Sequence, residues 1–76
     1  MDFQRIGMDV FSIMGEMMGE ELDHVSCVNV MYSKGKGIIV IVSLNDLDID
    51  MYKLKETVLS ACGRRGIIPI GIYLDI

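Results

Sequence analysis

From the N-terminus, apolar residues first recur at helical spacing. Phe3, Ile6, Val10, Ile13, Met14 and Met17 share one face, and Asp9, Ser12, Glu16, Glu20 and Asp23 run down the other. The spacing predicts an amphipathic helix over residues 3–22. A second apolar line, Met8, Phe11, Met18 and Leu22, widens the apolar arc beyond what one sheet contact needs. Glycine weakens a helix by about 1 kcal/mol relative to alanine. Gly7, Gly15 and Gly19 therefore need a reason to be there, and Gly15 and Gly19, four apart on one side, leave room for a close backbone approach.

The period then changes from helical to alternating. Around the turn residues Ser33-Lys34-Gly35-Lys36-Gly37, two apolar runs predict a β-hairpin, with strand one at about Ser26–Tyr32 and strand two at about Ile38–Leu44. Val28, Val30 and Tyr32 point one way; Cys27, Asn29, Met31 and Ser33 point the other. Strand two is apolar on both sides, the mark of a central strand. The connector Asn45–Asp50 carries alternating aspartates, and a second helix starts near Asp48 or Asp50. Met51, Leu54, Val58 and Ala61 form its buried stripe, Gly63 is its expected end, and Arg64 and Arg65 follow where cations are favoured. Ile67–Leu74 reads as a third strand, with Ile68, Ile70, Ile72 and Leu74 inward and Ile67, Gly71, Tyr73 and Asp75 outward. Pro69 cannot donate to a ladder, so this strand belongs at an edge.

The order α-β-β-α-β predicts a single α/β domain over residues 1–76, an α+β two-layer sandwich. Its three-stranded mixed sheet has strand two in the middle and both helices on one face. A right-handed crossover makes strand three parallel to strand two. A chain of 76 residues buries only about 60% of its unfolded surface, so self-association would add usefully to its core.

With 51% apolar residues the composition is that of a globular chain rather than a disordered one. The start Met1–Arg5 lacks a signal-peptide pattern, and the run Gly37–Leu44 is too short to span a bilayer. The expectation is a cytoplasmic protein that does not insert into membranes, with Cys27 and Cys62 as reduced thiols. The topology also sorts the charges. Glu20, Glu21, Asp23, His24, Asp46, Asp48, Asp50 and Asp75 gather at one pole of the sheet, and Lys34, Lys36, Arg64 and Arg65 at the other, within a net charge of −4.

Little of this points to catalysis. The lone His24, the two thiols and the carboxylates have no pattern that fixes a nucleophile, base and orienting group, so no enzyme activity and no cofactor are expected. Asp46-x-Asp48-x-Asp50 resembles the opening of an EF-hand loop. Met51 stands where that loop needs glycine, however, and Thr57 where it needs a bidentate glutamate. Capping of the second helix accounts for the aspartates, and no metal site is assigned. A weak metal-responsive domain built on the acidic pole stands as a third functional reading.

Gly63-Arg64-Arg65-Gly66 is a GxxG with two basic residues. Together with the element order it resembles a pared-down type II KH domain. It is also similar to the bacterial ribosome-binding factor A family, with Ala61-Cys62-Gly63 at that family's Ala-x-Gly bend. The chain departs from both in running straight into Ile67, without the extra helix before the last strand. The resemblance implies an RNA- or ribosome-binding surface of Lys34, Lys36, Arg64 and Arg65. The same order resembles the ring-building domains of secretion assemblies and the cytoplasmic domains of cation-efflux transporters, and implies self-association.

The sheet face away from the helices decides between these readings. It is expected to present Cys27, Met31, Ile39, Ile41, Ile67 and Tyr73, interrupted by Asn29 and Ser43. A solvated sheet face alternates to polar residues, and this one does not. The leading expectation is a non-enzymatic interaction module that forms a homo-oligomer through Met31, Ile39, Ile41, Ile67 and Tyr73 and engages a protein partner.

Overall fold

The computed structural model describes all 76 residues. Helix α1 (Phe3–Met18) is followed by a 3-10 segment (Gly19–His24), strands β1 (Val25–Ser33) and β2 (Gly37–Leu44), helix α2 (Met51–Arg65) and strand β3 (Gly71–Asp75). The sheet order is β1-β2-β3, with β1 antiparallel and β3 parallel to the central β2. This is the expected α-β-β-α-β sandwich. Ile6, Val10 and Met14 of α1 and Leu54, Val58, Ala61 and Cys62 of α2 pack with Val28, Val30, Val40 and Val42 in one core. No helix is long and apolar enough to cross a membrane.

The first helix is shorter than its apolar pattern. It ends at Met18, where Gly19 takes φ 61°, and the chain continues as the 3-10 segment to His24. Leu22 still packs against the core from that segment. The glycine that permits a close approach is Gly7, not the Gly15/Gly19 pair. A Cβ at position 7 would lie 2.6 Å from the Val28 carbonyl oxygen and 3.7 Å from the Val30 nitrogen. These groups lie on the outer margin of β1. Ile38 gives its carbonyl to the Ile70 N–H on the β3 side, so its partner Tyr32, and in step Val30 and Val28, turn theirs away from β2. Helix α1 thus covers that margin as well as the sheet face.

Strand β1 carries a bulge. Val25 pairs with Leu44 and Cys27 with Ser43, so Ser26 is the extra residue. The bulge lets Val25 and Val28 both face the core despite their spacing. At the far end, Tyr32 stacks on Phe3 with ring centroids 6.5 Å apart, pinning the start of α1 to the hairpin.

The end of α2 and the start of β3 differ from the sequence reading. Gly63 lies inside the helix, and Gly66, at φ 88°, makes the left-handed turn that ends it. The Ile67 N–H donates to the Cys62 carbonyl and the Gly66 N–H to the Gly63 carbonyl, a Schellman motif. Its apolar residue after the glycine is Ile67, which is buried, whereas Ile68 and Ile70 are exposed. The strand proper is only Gly71–Asp75, with Ile72 and Leu74 inward.

Candidate interaction surface

The ladder registers fix which side chains share the face that the helices leave bare. Met31, Ile39 and Gly71 form one row, Asn29, Ile41 and Tyr73 the next, and Cys27, Ser43 and Asp75 the third. Met31 and Tyr73 are exposed, and Ile39 and Ile41 are half-buried between their neighbours. The Tyr73 ring folds back along β3: a Cβ on Gly71 would meet its Cε2 at 3.1 Å and its hydroxyl oxygen at 3.3 Å. The aromatic ring therefore leans over Gly71, beside Ile39. Of the residues expected here, Met31, Ile39, Ile41 and Tyr73 come together. Ile67 does not, because the Schellman turn directs it into the core at 6% exposure. Cys27 is an exposed free thiol at the polar end of the face, and Cys62 is a buried one whose pKa burial pushes up.

The basic set is divided. Arg65 donates to Asp9 at 2.8 Å and Arg64 to Glu16 at 3.3 Å, so both arginines clamp the last turn of α2 to α1. The Arg65 hydrogen bond holds the Asp9 carboxyl below its ordinary range, with Arg5 adding a second cation. Lys34 and Lys36 stand apart from them in the hairpin turn, exposed and without carboxylate partners. The sequence could not show this division, because it depends on how the two helices lie against each other.

The acidic pole is knitted by local bonds. The Asp46 carboxylate accepts the Asp48 N–H at 2.9 Å and lies 2.8 Å from His24 Nδ1; these two contacts hold its pKa low, the backbone bond contributing more. Asn45 donates to the Asp23 carbonyl, tying the two chain segments together. Asp50 caps α2 by accepting the Tyr52 and Lys53 N–H groups, the role read from the sequence. No group of three or more His, Cys, Asp or Glu side chains is placed to hold a metal ion. The cleft between the end of α1 and the start of α2, about 200 Å³, is lined by Met17, Glu21, Ile49 and Lys53. No buried polar side-chain atom in the molecule lacks a hydrogen-bond partner.

Compared with protein-family models, with curated proteins and with solved structures, the chain matches none.

Proposed function

We infer that this chain is a small non-enzymatic interaction module that self-associates through the bare face of its sheet and so presents itself to a protein partner. The observation that carries this reading is the ladder register. It sets Met31, Ile39, Ile41 and Tyr73 side by side on adjoining strands, where a solvated sheet face would carry polar residues. Full burial of one such side chain is worth about 1.5–3 kcal/mol. Part of the remaining chemistry is committed inside the fold, the single histidine to Asp46 and the two arginines of the GxxG to carboxylates of α1, while Lys34, Lys36 and the Cys27 thiol stay free.

Three short strands about 4.8 Å apart offer roughly 300 Å² of flat face. Stable complexes bury about 800 Å² per partner. Association through this face is therefore reversible and concentration-dependent. Sedimentation over a range of concentrations tests it: the native chain forms dimers or higher oligomers that dissociate on dilution, and Ile41→Glu remains monomeric. A native chain that stays monomeric at high concentration, or a dimer that Ile41→Glu leaves intact, defeats the reading.

A further inference from the structure

We propose that the occupant of the bare face is a second copy packed with its strands reversed, so that each hairpin turn lies over the acidic end of its partner. This orientation rests on the sheet-face reading above and adds what that reading leaves open, namely how the two copies face each other. Two sheets in contact keep their strands roughly aligned, within about 30°. A symmetric pair of this kind has its two-fold axis lying between the sheets, either along the strands or across them. An axis along the strands brings hairpin turn to hairpin turn and acidic end to acidic end. An axis across the strands reverses one copy and brings unlike ends together.

The charges of this molecule distinguish the two. Beyond the Met31–Ile39–Gly71 row stand Lys34 and Lys36, exposed and without carboxylate partners. At the other end Asp75 belongs to the row on the face itself, and Asp23 and Asp48 are exposed on the segments just beyond it. Arg64 and Arg65 are held by Glu16 and Asp9 on the helical side, and the other cations, Arg5, Lys53 and Lys55, belong to the helices rather than to the sheet face. Like charges juxtaposed across an interface oppose association, and unlike ones fix its register. The aligned arrangement therefore sets acid against acid and lysine against lysine, whereas the reversed one pairs them at both ends.

Charge exchange tests the orientation. Lys34, Lys36, Asp23 and Asp75 make no side-chain hydrogen bond or ion pair within the fold. Substitutions there should leave the fold intact, as circular dichroism would verify. Lys34→Glu/Lys36→Glu and Asp23→Lys/Asp75→Lys are compared with the native chain by sedimentation at low ionic strength. Each variant alone should associate roughly tenfold more weakly, and an equimolar mixture of the two should recover native affinity as a mixed dimer. The aspartate exchange is the sharper arm: two charges each move by two, taking the net charge from −4 to 0. General repulsion predicts tighter self-association for that variant; the reversed packing predicts weaker. Overturning results are an aspartate variant that associates more tightly than the native chain, or variants that associate as the native chain does while Ile41→Glu abolishes the dimer. Either leaves the sheet-face reading standing and removes the orientation. A native chain that is monomeric at every concentration removes both.

Discussion

At position 7 a single hydrogen atom sets how closely α1 rests on β1. The Cβ of Gly7→Ala would lie 2.6 Å from the Val28 carbonyl oxygen, and that neighbour is ladder backbone rather than a side-chain tip that could swing aside. The helix has to lift, at a cost of about 1–3 kcal/mol typical of overpacking, read as a lower denaturation midpoint. Gly63 is the control. It sits within α2 with open space where its Cβ would be, so Gly63→Ala should stabilise the protein by up to about 1 kcal/mol. Asp46 gives a residue-scale pH dependence. Its carboxyl pKa in the folded protein is lowered from the ordinary 3.8, first by the Asp48 N–H and then by His24. The unfolded chain therefore takes up this proton first as pH falls. The stabilisation is complete above the ordinary value and is lost as pH drops through the folded one. Thermal unfolding between about pH 5 and about pH 2 should show the native midpoint falling more than that of Asp46→Asn.

Among the elements, the joint between α2 and β3 shows how far periodicity can be followed. Ile67, Ile68, Ile70, Ile72 and Leu74 form an apolar stretch from which alternation alone predicts one long strand with Ile67 outward. The competing signal is the glycine at 66, which takes the left-handed conformation and makes Ile67 the apolar clasp of a helix end. Gly63, three residues earlier, offers the same letter with no such turn. Ile67→Ala should therefore cost about 2–5 kcal/mol as a core truncation, while Ile68→Ser, at 88% exposure, should stay within about 0.5 kcal/mol in chemical denaturation. A strand running from residue 67 would reverse those two results. Helix α1 gives the same lesson at its own end. Its apolar spacing continues through Leu22, and only the Gly19 backbone, not the pattern, stops the helix at Met18.

For the whole molecule, element order, sheet order and strand direction were legible in the sequence. The first two rest on strong local signals, the glycine-rich hairpin turn and the doubly apolar β2, and the third on the helix crossover between β2 and β3. Pro69, read as the mark of an edge strand, lies before β3 and outside its ladder. Most of the candidate face was legible for the same reason, since Met31, Ile39, Ile41 and Tyr73 follow from strand parity. The fate of the basic residues was not, because Arg64 and Arg65 meet Glu16 and Asp9 across a helix–helix contact that separates them by dozens of residues in sequence.

The seat of α1 on the margin of β1 also limits how this sheet can grow. Strand-by-strand polymerisation, the route to fibrils, needs two open margins on every molecule, one to receive and one to offer. Here Gly7 brings the helix against the Val28 carbonyl and Val30 N–H, so one margin is obstructed at its middle. The other belongs to β3, a short strand preceded by Pro69 and ending in Asp75. A copy added there would present its own obstructed β1 margin on the far side, so extension should stop at a pair. The native chain should therefore remain free of thioflavin-positive fibrils even at high concentration, although β1 carries no charged residue along its length.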